Sequence, residues 1–253
     1  MKISETVQAV ADFAPVQLAA EWDNVGFLVG DEERECTGVV TCLDCTEEVV
    51  DKAVAEGCNL IVSHHPFIFK GIRELNLCRT QSRAIEKLFK HDISVYSAHT
   101  NLDVAENGLS HKLAEMFGGE NIVREGFGCF AELRPVSAKE LAKRVAEVLG
   151  DKSVKVCAPD ATVRRIYVIS GSGGGSEELE IAMKSADALV TGNVRHNVFT
   201  DAAQENFPIV EFSHFYSEII CCDVLNEIIK SRFGELKVVS ARQQCPYKTL
   251  EEL

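Results

Sequence analysis

The chain has 253 residues with 26 Lys+Arg against 39 Asp+Glu, a formal net charge of −13, and is 46% hydrophobic and 26% charged. That balance suits a globular protein with one large or two smaller cores, and the lack of any Lys/Arg-rich run argues against an extended nucleic-acid surface, which must neutralise phosphates. The N-terminus has no basic stretch leading into an unbroken apolar core, and no apolar run reaches the ~18 residues needed to span a bilayer, so neither export nor membrane insertion is expected; ten scattered cysteines then read as reduced thiols of a cytoplasmic protein.

Residues 4–19 predict a helix, with Ser4 as N-cap and Val7, Val10 and Ala11 on one face. In EWDNVGFLVGD, Gly26 and Gly30 bracket a short apolar strand. GVVTCL (38–43) predicts a strand, Glu47–Glu56 a helix ended by Gly57, and Leu60–Val62 another strand. Strand–helix–strand is a βαβ unit and implies parallel pairing. A helix over Arg79–Lys90, a strand over Ile93–Ser97 and a helix over Gly108–Phe117 follow. The Gly-containing stretch Glu125–Glu132 reads as a seam. It divides the chain into a first α/β half, 1–125, and a second, 126–253, whose last elements could pack on the first. In the second half, helices are predicted at Ala138–Leu149, Glu177–Lys184, Phe199–Gln204 and Ser217–Lys230. Strands are predicted at Arg165–Ser170, Ala188–Thr191, Ile209–Phe212 and Leu236–Val239.

The halves resemble each other. CLDCTEEVVDKAVAEGCNLIVSHHPF and ISGSGGGSEELEIAMKSADALVTGNVRHNVF both run strand, tight turn, acidic helix start, helix, apolar strand and polar exit. ISVYSAHTNLD parallels IVEFSHFYSE: a strand ends in a histidine, with an acid four residues on, giving His99-x-x-x-Asp103 and His214-x-x-x-Glu218. The second half lacks the pair His64-His65, having Gly192-Asn193 there. The fold expected is α/β, two similar three-layer α/β/α domains related by an internal repeat.

Those strand ends carry the chemistry. Pro66 biases His65 toward an extended conformation, and strand alternation would send His64 and His65 to opposite faces. Ligands bind at the carboxyl ends of strands in open α/β sheets. His64, His65, Asp103, His214 and Glu218 together suit Zn, Fe, Mn, Co or Ni better than Ca or Mg. Five ligands exceed one tetrahedral catalytic zinc and fit two divalent ions sharing a carboxylate. Such a site would bind an anion and support metal-assisted hydrolysis. Gly171–Ser176, between a strand and a helix, could cradle a phosphate or be a plain turn. Lys70 and Arg73 could neutralise an anionic substrate or be solvated surface charges. The lone Cys42-x-x-Cys45 has no second pair for a zinc ribbon and reads as packing more readily than as a redox motif.

EWDNVGFLVG, SHHPFIFKGI, YSAHTNLD, VTGNVRHNVFTDA and SHFYSE, in this order, resemble the NIF-three-like family of dinuclear-metal proteins, labelled GTP cyclohydrolase 1 type 2 homologues. The resemblance covers nearly the whole chain. It implies a two-domain α/β protein forming a toroidal homohexamer, with two metal ions per subunit held by His64, His65, Asp103, His214 and Glu218, the last bridging. His99 would then support a ligand or carry a proton. The activity implied is hydrolytic opening of a purine ring by a metal-activated water, on a small anionic substrate such as a nucleotide. A metal-handling protein and a regulatory ring are the other classes the sequence allows. Ser213, Ser217, Asn193 and Asn197 depart from the family pattern and bear on the substrate pocket rather than on the ligands.

Overall fold

The computed structural model describes residues 1–250. In chain order the elements are α1 (Ile3–Phe13), β1 (Gly26–Val29), β2 (Val39–Cys42), α2 (Glu47–Glu56), β3 (Leu60–Ser63), α3 (Thr80–Lys90), β4 (Ser94–Ser97), α4 (Thr100–Val104) and α5 (Leu109–Met116). They continue with β5 (Glu120–Glu125), β6 (Gly128–Ser137), α6 (Ala138–Leu149), β7 (Lys155–Cys157), β8 (Thr162–Val168), α7 (Ser176–Ser185), β9 (Ala188–Gly192) and α8 (His196–Gln204). The last are β10 (Ile209–Phe212), α9 (His214–Glu218), α10 (Cys221–Arg232) and β11 (Val238–Ser240).

Two compact units emerge among the described residues: 1–105 with 219–243, and 106–218 with 244–250. The boundary expected at 125/126 therefore falls instead at Ala105/Glu106, and the chain returns to the first unit after Glu218. The Gly-containing stretch is not a seam. Gly126, at φ 54, lies between β5 and β6, which pair antiparallel inside the second sheet.

In the first unit the sheet order is β1-β4-β3-β2-β11, with β4, β3, β2 and β11 parallel and β1 antiparallel on the edge. Every residue of β2, β3 and β4 is buried, as parallel strands covered on both faces require. Val49, Val50 and Ala53 of α2 and Ala84, Ile85 and Leu88 of α3 pack with Val40, Ile61 and Val95. The opposite face carries α10, where Thr41 Oγ1 donates to Asn226 Oδ1 at 2.8 Å.

In the second unit the order is β5-β6-β8-β9-β10-β7, with β8, β9 and β10 parallel. Leu179, Ala182, Val198 and Ala202 of α7 and α8 pack on Tyr167, Leu189 and Ile209. The two units share an order of elements wider than the sequence comparison suggested. Helix, antiparallel edge strand and three parallel strands run α1-β1-β2-β3-β4 in one and α6-β7-β8-β9-β10 in the other. No helix among the described residues is long and apolar enough to cross a membrane.

Helix α6 starts on a capping box: Ser137 Oγ accepts from Glu140 N–H and the Glu140 carboxylate accepts from Ser137 N–H. Ser137→Ala should lower unfolding free energy by about 1 kcal/mol, read as a shift in urea midpoint at unchanged m-value.

Candidate metal centre

In the first unit, three neighbouring parallel strands deliver the donors. The register places Cys42 beside Ser63 and Ser63 beside Ser97, and the Ser63 and Ser97 hydroxyls are 2.8 Å apart. Just past these residues lie Asp44, His64-His65 and His99. The backbone N–H groups of His64 and His65 donate to the carbonyls of Cys42 and Leu43, so the pair is held as an extension of the sheet.

The ring partners decide what each imidazole can do. His64, fully buried, donates Nδ1–H to the Ala98 carbonyl at 2.9 Å. A carbonyl only accepts, so the neutral ring carries its lone pair on Nε2. His65 donates Nδ1–H to Asp44 Oδ1 at 2.8 Å, and His99 donates to the Asp23 carboxylate at 2.9 and 3.0 Å. All three rings thus present Nε2 as a ligand or base, and the carboxylate behind the imidazole is the usual support of a metal-binding histidine.

His64, His65 and His99 offer ligand atoms within 4.8 Å of one another, and the His64 and His65 rings are 5.3 Å apart and 36° from parallel. The opposite orientations expected from strand alternation do not occur. β3 ends at Ser63, and the pair lies beyond the pleat. Asp103, one turn into α4, brings Oδ1 to 3.7 Å from His64 Nε2. That exceeds a hydrogen bond and approaches the roughly 3.4 Å between two ligands of a tetrahedral ion with bonds of ~2.1 Å. These donors fit a divalent metal.

Asp23 is the group the sequence reading passed over. Its side chain is 0% exposed. It accepts from His99, from Thr100 N–H at 3.1 Å and from Thr100 O–H at 2.5 Å. Burial alone would raise its pKa, but these hydrogen bonds and the neighbouring His99 outweigh burial and hold it at about 2.

In the second unit, His214 follows β10 and Glu218 closes the single turn α9. His214 Nε2 lies 2.7 Å from Glu218 Oε2, and its Nδ1 lies 2.9 Å from Asn193 Nδ2. Asn193, at φ 54, follows β9 and meets His214 because Gly192 pairs with Phe212. Gly171, at φ 63, passes so close that a Cβ there would come within 1.9 Å of Glu218 Oε1 and 3.3 Å of His214 Nε2. Only glycine lets the backbone approach these donors. Asp151, between α6 and β7 as Asp23 lies between α1 and β1, accepts from Ser213 N–H at 2.6 Å, fixing the residue before His214.

In the Gly171–Ser176 loop, the N–H groups of Gly171 and Gly173 are spent on the hydroxyls of Ser217 and Thr191, as that of the preceding Ser170 is on Ser110, which leaves fewer amides for a phosphate. Cys42 and Cys45 are free thiols; burial pushes Cys42 well above its ordinary value and Cys45 up to about 12, which leaves both protonated and unreactive at neutral pH.

The profile of the Duf34/NIF3 (NGG1p interacting factor 3) family matches residues 1–246. A GTP cyclohydrolase 1 type 2 homolog of Clostridium acetobutylicum is 30% identical over 265 residues, covering 98% of each chain. One from Clostridium perfringens is 31% identical, covering 92% of each. The crystal structure of Staphylococcus aureus hypothetical protein SA1388 superposes with a TM-score of 0.89 at 28% identity, over 99% of each chain.

Two outcomes follow from this geometry. Gly171→Ala should displace the Glu218 carboxylate, lowering metal content by atomic absorption, with far-UV circular dichroism unchanged. Asp23→Asn should destabilise the chain by about 1–3 kcal/mol at neutral pH. Because the Asp23 carboxyl titrates lower in the folded chain than in the unfolded one, its contribution is full above pH ~4 and lost as pH falls toward 2. The gap to wild type in guanidinium unfolding should therefore shrink by roughly half between pH 6 and pH 3.

Proposed function

Because the chain belongs to the Duf34/NIF3 family, we propose that it is a divalent-metal-dependent hydrolase acting on a nucleotide, with GTP-cyclohydrolase-type opening of the purine ring as its reaction. The observation that carries this reading is the fixed Nδ1–H of His64 and His65, donated to the Ala98 carbonyl and to Asp44. That tautomer leaves the lone pair on Nε2, as a histidine that binds a metal through Nε2 requires. Relatives named GTP cyclohydrolase 1 type 2 homolog supply the reaction class.

In this reading His64, His65 and Asp103 of the first unit and His214 and Glu218 of the second hold two ions, chosen from Zn, Fe, Mn, Co and Ni by the mixed N/O donors. The chain leaves the first unit two residues after Asp103 and returns directly after Glu218, so both carboxylates sit at chain crossings. When bound, such ions supply Lewis acidity and bring the pKa of a water near neutrality. The chain's own work is different. Asp44 and the Ala98 carbonyl hold the proton of the neutral His65 and His64 rings on Nδ1, leaving the lone pair on Nε2, and Asp23 does the same for His99. His99 Nε2 is then the base that takes the proton of the attacking water and returns it to the leaving nitrogen. A homohexamer is part of the proposal, and sedimentation at monomer mass would remove it.

The test is turnover of GTP, GMP, ATP and inosine monophosphate by metal-reconstituted protein, with metal content measured beside it. About two ions per chain and ring-opened product from GTP are expected. His65→Ala and Glu218→Gln should each lose metal and activity together. His99→Ala should keep both ions and lose about 10²–10⁴ in kcat. Two ions per chain without turnover of any purine would show instead a metal-binding protein.

A further inference from the structure

The first unit leaves two large aromatic side chains in solvent beside its histidines. Trp22 is 63% exposed and Phe69 46% exposed. Their ring centroids are 6.0 Å apart with planes at 74°, and each lies 6.3 Å from the His99 ring, at 72° for Trp22 and 85° for Phe69. Three nearly perpendicular rings around one point form an open corner. A planar ring laid flat on one of them presents its edge to the other two. That is the arrangement the aromatic quadrupole favours, electropositive edge toward electronegative face.

The corner is built before anything enters it. Asn24 donates to the Ile68 carbonyl and Gln81 to the Phe67 carbonyl, fixing the stretch that carries Phe69. Ala20 N–H donates to Thr100 Oγ1, and Asp23 grips both Thr100 and His99, fixing the stretch that carries Trp22. Exposed aromatics on backbone fixed by such contacts lose little entropy on binding. The third wall, His99, belongs to the donor cluster with His64 and His65, so a ring in the corner lies against that cluster. Two of the loop amides that could have held phosphate, those of Gly171 and Gly173, are engaged within the second unit.

We propose that Trp22, Phe69 and His99 form the base-recognition subsite of this protein, and that it selects nucleotides by their planar nitrogen heterocycle rather than by their phosphates. This rests on the nucleotide reading above and adds the residues that read the ring. Lys70, exposed and next after Phe69 in the chain, is the cation that would add a lesser share of the selection.

Trp22 is the sole tryptophan of the chain, so its fluorescence reports this corner alone. The full chain, metal-free and zinc-loaded, is titrated with guanosine, GMP and ribose 5-phosphate. Guanosine and GMP should quench Trp22 saturably with dissociation constants within about tenfold of each other, the small share a single surface cation adds, and ribose 5-phosphate should leave it unchanged. Phe69→Ala should weaken guanosine by about 5- to 150-fold, as expected for loss of one aromatic stacking partner, and Phe69→Tyr should restore it. Calorimetry with Trp22→Leu should show a similar loss. Equal quenching by ribose 5-phosphate and GMP would overturn the proposal. So would an emission shift that follows protein concentration and ignores guanosine, which would mark the corner as covered by a second copy of the chain. Guanosine binding without purine turnover leaves the corner and removes the hydrolase reading; purine turnover with Trp22 silent to guanosine does the reverse.

Discussion

The placement of one proton on each imidazole underlies everything the first unit can do. His64, His65 and His99 each donate their Nδ1–H to an oxygen that only accepts: the Ala98 carbonyl, Asp44 and Asp23. A neutral imidazole left to choose would populate both tautomers. Here the acceptors choose, and the lone pair of each ring points away from its support. The acceptors come from three separate places in the sequence. Asp44 follows β2, Ala98 follows β4, and Asp23 lies before β1. The site is therefore a property of the sheet rather than of the SHHP motif.

The sheet supplies that arrangement through register. Parallel pairing sets Cys42, Ser63 and Ser97 side by side, so the residues that follow leave the sheet at one level. The Ser63–Ser97 hydroxyl contact satisfies both groups at 0% exposure, at a position where an unmatched hydroxyl would cost about 1–3 kcal/mol. A slip of one residue would exchange the two faces of the strand and carry His64 away from Ala98. The slip would also part the Ser63 and Ser97 hydroxyls and leave them unmatched in the buried sheet, which specifies the register against it.

How far the sequence revealed this depends on how local each feature is. Helices α2 and α6 were legible to the residue, since Thr46 and Ser137 cap them and Gly57 and Gly150 end them in the left-handed conformation. The α/β class followed from the βαβ spacing. The histidine pair stood out because neither ring could continue a core stripe. What escaped the reading is non-local. Asp23 and His99 are far apart in the chain and meet only because β1 pairs antiparallel with β4, which no short-range pattern encodes. The β5–β6 hairpin was misread because the Gly-containing stretch Glu125–Gly128 looks the same in a linker and in a turn. Helix α8 begins at His196, before its first predicted residue, with Arg195 at its N-cap making no side-chain cap. The glycines of the 171–176 loop suggested phosphate, whereas Gly171 is required for the approach to Glu218.

The repeat explains why the two units contribute unequally. The turn after β4 and the turn after β10 carry equivalent residues, His99 with Asp103 and His214 with Glu218, and an aspartate before the first sheet strand supports each turn: Asp23 under His99 and Thr100, Asp151 under Ser213. The difference lies one strand over. After β3 stand His64 and His65; after β9 stands Asn193, which lends its amide to His214. In the first unit the histidines after β3 and His99, held by the Asp23 carboxylate, bring three imidazoles together. In the second unit no such pair exists, and the equivalent histidine stands with Glu218 beside it at 2.7 Å. Under the proposed function, equivalent turns are thus put to two uses, a proton carrier in the first unit and a metal donor in the second. The residues after the neighbouring strand decide which.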